Sequence, residues 1–336
     1  YIKTLVLIIY DRLKRFVNIN MGSKLNEKYY IAGHNGMVGS AILRKLNSNP
    51  SIEILTANKS ELNLLDKIEV DKYFAKNKPD TVILAAGRVG GIKANNNNQA
   101  LFLYENLTIQ NNVLHAAANF GVEKFLFLGS SCIYPRESRQ PIKEEYLMQG
   151  PLEKTNEGYA LAKISGLKLA QYLYKSKGMK CICPMPCNLY GVNDSFDKNN
   201  SHVLSALIRR FVDAAHEMKD NVILWGTGHP RREFLNVDDA ANAFLLLLDK
   251  WDSPEHVNVG SGEDISIKEL AEKIALKANY KGKISWNNSI EENGMPKKLL
   301  DTSKIRELGF IPKISLDKGI ESMIKSYKDI KSNLKN

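Results

Sequence analysis

Cysteine is scarce in this chain: four residues in 336, far too few for a disulfide scaffold, so a reducing cytoplasm is the expected compartment. Cys132, Cys181, Cys183 and Cys187 form no Cys-x-x-Cys pair and have no histidine pair at zinc spacing, so no metal site is expected. Long apolar runs are also missing. Ala240 to Leu248 is among the longest, well short of the roughly 20 residues a membrane helix needs. No dense basic block interleaves with aromatics, although Lys and Arg outnumber Asp and Glu by 47 to 37, a net charge of +10. Nucleic acid and membrane surfaces are therefore not expected partners; a phosphate-bearing small molecule suits the sign of the charge. There is no internal repeat, and the one low-complexity stretch is Asn95 to Asn98.

The first twenty residues lack the order of a signal peptide. A short apolar run, Leu5 to Ile9, precedes Arg12, Lys14 and Arg15, whereas a leader carries its charges first. Met21 reads as the start, with residues 1–27 an extension outside the fold.

What is present is ordinary globular material, 43% hydrophobic and 25% charged. The length suits one large α/β domain with a smaller lobe. Strand-like apolar segments at 29–32, 52–55, 81–86 and 124–129 alternate with helical periodicity at 38–46, 68–75 and 100–120. The cysteine run from 181 to 187 is also strand-like. Strands of four to six residues between longer helices predict a doubly wound parallel sheet, whose ligands bind at the strands' carboxyl ends. After Gly191 the rhythm loosens: helices are predicted at 201–218, 237–248 and 267–278, short strands at 222–224 and 257–259, and a loop at 296–301. This divides the chain into a dinucleotide-type domain over 28–190, to which some later segments return, and a substrate lobe, mainly 191–330.

Gly33, Gly36 and Gly39 lie between the first strand and the first helix, in Gly-His-Asn-Gly-Met-Val-Gly. The first glycine permits a tight turn, the second lets backbone approach a pyrophosphate, and the third lets helix and strand pack closely. The helix terminus then offers unpaired N–H groups. The context makes this a Rossmann-type dinucleotide site. The second strand ends Thr56-Ala57-Asn58-Lys59 with no carboxylate for a ribose 2′-hydroxyl, and Lys59 favours NADP over NAD.

Further along, Leu128-Gly129-Ser130-Ser131-Cys132-Ile133-Tyr134-Pro135 puts small polar groups at the end of a strand. Tyr159 and Lys163 follow, four residues apart and so on one helix face. A phenol with pKa near 10 needs a neighbouring cation to exchange protons at neutral pH, and a serine hydroxyl can orient the oxygen that receives the proton.

In this order the motifs resemble the extended short-chain dehydrogenase/reductases, and within them the GDP-L-fucose synthase branch. The match extends from about Lys28 to the last thirty residues. It includes Glu61 to Asp66, Val89 to Ile92 with Asn95-Asn96, Thr155-Asn156-Glu157, Asn188 to Gly191 and Asn200-Ser201-His202-Val203. In the second lobe it includes Trp225-Gly226-x-Gly228, Arg232 to Leu235, Val237-Asp238-Asp239 and Pro296 to Asp301. The resemblance implies a 3,5-epimerase and NADPH-dependent 4-reductase acting on a GDP-4-keto-6-deoxy sugar. It makes Cys132 the base and His202 the acid of the epimerisation, with Tyr159 the proton donor of the reduction, Lys163 tuning it and Ser130 polarising the carbonyl. NADP(H) would be held by Gly33, Asn35, Gly36, Met37, Val38, Gly39, Lys59, Leu62, Asn63, Leu64, Leu128, Gly129, Lys163, Pro186, Asn188, Leu189 and His202. Arg210, Trp225 and Arg232 would hold the nucleotide diphosphate and base, with Lys298 and Asp301 in a substrate loop. A homodimer through the 100–120 helix and the Tyr159 helix is also implied.

The chain departs from that pattern at Asn35 and Lys59, where arginines are expected, and at Gly158, where proline is expected. A 4-epimerase or 4,6-dehydratase of the same superfamily is the alternative, but a dehydratase would want an acidic pair where Cys132-Ile133 stands. A non-enzymatic NADP-sensing scaffold would generally have lost the Tyr–Lys pair.

Overall fold

Short, largely apolar segments settle in the middle of a parallel sheet, where both faces are covered and polar alternation has no use. The strands β1 (Glu27–Ala32), β2 (Ile52–Leu55), β3 (Thr81–Leu84), β4 (Lys124–Phe127) and β5 (Lys180–Ile182) form such a sheet, all parallel, in the order β2-β1-β3-β4-β5. Its centre is dry: Ile31 pairs with Ile83, which in turn pairs with Leu126, and all three are fully buried. The computed structural model describes residues 27–198, 201–288 and 294–333. The readings of Tyr1 to Asn20, of Met21 as a start and of Asn200 in the Asn-Ser-His run lie outside the described residues.

Helices α1 (Met37–Leu46), α2 (Lys67–Asn77), α3 (Ile92–Asn97), α4 (Gln99–Asn119) and α5 (Glu157–Lys177) connect and cover the strands. Asp66 starts α2 by accepting the N–H groups of Ile68 and Glu69, which satisfies two otherwise orphaned donors. The order of connection reverses between β1 and β3, since β2 lies on one side of β1 and the later strands on the other. Ligands bind outside the strand ends at such a point. The single helix expected over 100–120 starts earlier, at Gln99, and is preceded by α3, which holds part of the asparagine run. There the buried Asn95 amide donates to the carbonyls of Gly90 at 2.7 Å and Gly91 at 3.1 Å. That run is a tie for the 87–91 loop rather than a loose tract.

Beyond α5 come β6 (Pro184–Pro186), β7 (Asn188–Tyr190), α6 (Val203–His216), β8 (Asn221–Leu224), β9 (Arg231–Asn236), α7 (Val237–Lys250), β10 (Val257–Val259), β11 (Asp264–Ser266), α8 (Ile267–Lys277), β12 (Lys283–Trp286), β13 (Lys297–Lys298), α9 (Ser303–Glu307) and α10 (Leu316–Asn333). The segment expected as a loop over 296–301 contains β13, which pairs parallel with β9. Two cores result. One packs around the five-stranded sheet and includes Phe244 and Leu247 of α7, Val257 and Val259 of β10, and Ile305 of α9. The other gathers Leu207, Ile208 and Phe211 of α6 with Leu270 and Ile274 of α8 and Ile320 and Met323 of α10. The chain therefore returns to the first core after building part of the second.

Candidate active site

A cavity of about 720 Å³ opens at the carboxyl edge of the sheet and continues between the two cores. Its floor is the glycine turn. Gly33 has a φ of +86°, and a Cβ there would lie 2.7 Å from the Ala86 nitrogen; one on Gly39 would lie 2.2 Å from the Gly33 carbonyl oxygen. Neither position admits a side chain. Gly36 starts α1 with no side-chain cap and no acidic residue in the first turn, which leaves the helix N–H groups and the positive end of its dipole to an anionic ligand. The buried Nδ1 of His34 also has no partner. These features fit a dinucleotide pyrophosphate.

The sequence-predicted residues divide into those brought together and those left outside. Gly33, Gly36, Met37, Val38, Leu128, Gly129, Ser130, Cys132, Tyr159, Lys163, Pro186, Asn188, Leu189, His202, Arg210, Trp225, Arg232 and Lys298 all line the cavity. Asn35, Gly39, Lys59, Leu62, Asn63, Leu64 and Asp301 are not among its lining residues. Gly39 works from beneath, through its contact with Gly33. Leu62 is a core side chain, and Asn63 spends its amide oxygen on the Leu65 N–H within a turn. Asn35 and Lys59 are exposed, and the Asn35 amide donates to Asn58 Oδ1 at 2.7 Å. The Asp301 carboxylate accepts the Ser303 N–H at 2.9 Å.

Ser130, three residues past the end of β4, accepts the Cys132 N–H at 3.2 Å, which turns the chain and presents Cys132 beside it. Tyr159 and Lys163 come from the first turns of α5. Burial pushes the Tyr159 phenol up, the nearby Cys132 sulfur adds to that, and a hydrogen bond with Ser130 opposes both. Lys163 is drawn down to about 8 by burial. Its ammonium donates to the Leu128 carbonyl at 2.8 Å and stands 5.8 Å over the Tyr159 ring rather than at the phenol oxygen. The hydrogen bond that opposes burial at the phenol is thus Ser130's, while the Lys163 charge acts from over the ring.

The opposite wall comes from the second core. His202 starts α6, half-exposed, with Nδ1 3.9 Å from the Asp194 carboxylate. Arg210 lies 4.6 Å over the Trp225 ring, a flat cationic and aromatic shelf of the kind that accepts a nucleobase or phosphate. Burial lowers Arg232 to about 10, against the opposing influence of Cys132 and Glu153. Two residues went unassigned in the sequence. Asn156 donates to Cys132 Sγ at 3.2 Å. Glu233, fully buried, accepts the N–H groups of Gly262 at 2.7 Å and Leu300 at 3.0 Å, so it anchors the segment that carries Lys298. A fully buried acid invites a search for its donors, but its partners lie about thirty and seventy residues away, beyond any local pattern.

Residues 29–260 match the NAD dependent epimerase/dehydratase family. The chain belongs to that family. It is 47% identical over 305 residues to GDP-L-fucose synthase 1 of Arabidopsis thaliana, covering 91% of this chain and 94% of that protein. It is 46% identical over 305 residues to GDP-L-fucose synthase of Escherichia coli K12, covering 88% and 95%. Among solved structures, MlghC, a GDP-mannoheptose C4 reductase from Campylobacter jejuni with NADP bound, superposes with a TM-score of 0.83 at 34% identity. It covers 91% of this chain and all of that one.

Proposed function

We propose that this protein converts GDP-4-keto-6-deoxy-D-mannose to GDP-L-fucose, as a 3,5-epimerase and an NADPH-dependent 4-reductase in one site. The observation that carries the reading is the presence of two proton-handling sets in one cavity: Ser130, Tyr159 and Lys163 beside Cys132, with His202 on the facing wall. Relatives named GDP-L-fucose synthase at 46–47% identity support the same substrate.

A ketone at carbon 4 acidifies the protons at carbons 3 and 5. Cys132, ringed by donors, takes such a proton from one face, and His202 returns one from the other, inverting each centre through an enolate. NADPH, when bound, supplies the hydride for carbon 4. Tyr159 gives its proton to the carbonyl oxygen, Ser130 holds that oxygen, and the Lys163 charge beneath the ring favours the phenolate that remains. Gly33 to Val38 would hold the pyrophosphate of that cofactor, and Lys59, exposed on the loop after β2, would meet an adenosine 2′-phosphate. Arg210, Trp225 and Arg232 take the GDP moiety, and the 191–330 lobe is the substrate lobe. Lys298 closes over the sugar, and Asp301 fixes the loop behind it.

Among the described residues no helix is long and apolar enough to cross a membrane, and the cytoplasm is the proposed compartment. Exposed Leu101 and Tyr104 on α4 and Leu161 and Tyr172 on α5 support a homodimer through these helices. The function is tested by incubating the protein with GDP-4-keto-6-deoxy-D-mannose and NADPH or NADH. The expected outcome is NADPH consumption with formation of GDP-L-fucose. If neither cofactor is oxidised, the reductase reading fails.

A further inference from the structure

Asparagine at the start of a helix ordinarily turns its side-chain oxygen onto the N–H groups of the first turn. Asn156 occupies that position at the start of α5 and does not do so: its side chain makes no capping bond. Its Oδ1 is buried without a partner, while its Nδ2 donates to Cys132 Sγ at 3.2 Å. The amide is held in place from behind. The Asn156 N–H bonds to the Glu153 carbonyl at 3.2 Å, and the Glu153 carboxylate in turn accepts the Thr155 N–H and faces Arg136. The sulfur meets Lys298 Nζ at 3.9 Å as well, and it interacts electrostatically with the half-buried Arg232.

We infer that Asn156 is a positioning residue for Cys132, holding the sulfur as a thiolate aimed into the cavity, with Lys298 as the second donor. A thiol sulfur is a weak acceptor, and a bond to it would be a poor exchange for a helix cap. A thiolate is a strong one, and hydrogen bonds to ionised acceptors are about twice as strong as neutral ones. Cationic surroundings select the same form. The arrangement also links the two chemistries, because Asn156 lies three residues before Tyr159 on the same helix start. The thiolate assignment stands on the contacts alone. The role in proton abstraction rests on the function proposed above.

The test reads the sulfur directly. Cys181, Cys183 and Cys187 are buried, so iodoacetamide near neutral pH followed by peptide mass spectrometry reports on Cys132. Asn156→Ala is expected to slow alkylation roughly tenfold, the effect of losing one hydrogen bond to a charged group. Asn156→Asp is expected to slow it further, since a carboxylate of the same shape repels a thiolate and cannot donate. Aspartate is also a good N-cap, so this variant keeps α5, and unchanged NADPH affinity verifies that the site is folded. Alkylation of Asn156→Asp at the wild-type rate overturns the inference. Solvent-deuterium incorporation at carbons 3 and 5 of the keto-sugar should fall in parallel. If alkylation falls but no exchange is seen even in the wild type, the substrate reading fails and the role of Asn156 stands.

Discussion

At the scale of single residues, Tyr159 and Lys163 are one helical turn apart and burial drives their titrations in opposite directions, up for the phenol and down to about 8 for the amine. As pH rises through about 8, Lys163 loses its charge, and with it the support for phenolate. The rate of NADPH oxidation should therefore fall above that pH with a one-proton slope. Lys163→Arg should remove that limb, because a guanidinium stays charged. Tyr159→Phe should lower the reductase rate by roughly 10² to 10⁴-fold, read by cofactor absorbance. Cys132→Ser should abolish deuterium incorporation at carbons 3 and 5 while leaving NADP binding intact; unchanged exchange would remove Cys132 as the base. The Tyr–Lys pair was legible because a four-residue spacing on a helix needs no tertiary knowledge. Asn156 was not, since an asparagine before a helix reads as its cap, and only the fold reveals that its amide faces Cys132.

At the scale of elements, the start of α5 depends on Gly158. Proline is what the resemblance leads one to expect in place of this glycine. The structure makes it a tight contact: its N–H donates to Gln99 Oε1 at 3.0 Å, and a Cβ would lie 2.6 Å from the Gln99 carbonyl oxygen. Helix propensity favours alanine here by up to about 1 kcal/mol, but backbone overlap costs about 1–3 kcal/mol. We expect Gly158→Ala to be net destabilising and to lower Tm, which thermal unfolding measures. The glycine turn and the sheet strands were legible from local composition alone. The two-residue β13 was not, because Lys297 and Lys298 carry no strand signal and become one only by meeting Arg231 and Arg232. The proposed homodimer through α4 and α5 predicts a dimeric species in light scattering that double substitution of Tyr104 and Leu161 by glutamate converts to monomer; a monomeric wild type would refute it.

Across the whole molecule, two buried titrating groups oppose each other. Burial raises Glu233 from an ordinary 4.5 to about 7, despite three backbone N–H donors. Burial likewise lowers His256 from 6.5 to about 4. The native state holds the extra proton on Glu233, so its contribution to stability declines as pH rises from about 4.5 to 7. The unfolded state holds the extra proton on His256, so that contribution declines as pH falls from about 6.5 to 4. Each is on the order of 3 kcal/mol, and over the shared window they nearly cancel. Glu233→Gln should expose the histidine limb, with Tm rising more steeply with pH across that window than in the wild type. The return of α7 and β10 to the first core has a consequence for synthesis. Residues 27–190 contain all five strands of the sheet, yet Phe244, Leu247 and Val259 are part of the same core. A nascent chain that has emerged only to Gly191 must wait, with one flank of its sheet bare, until some seventy more residues have left the ribosome.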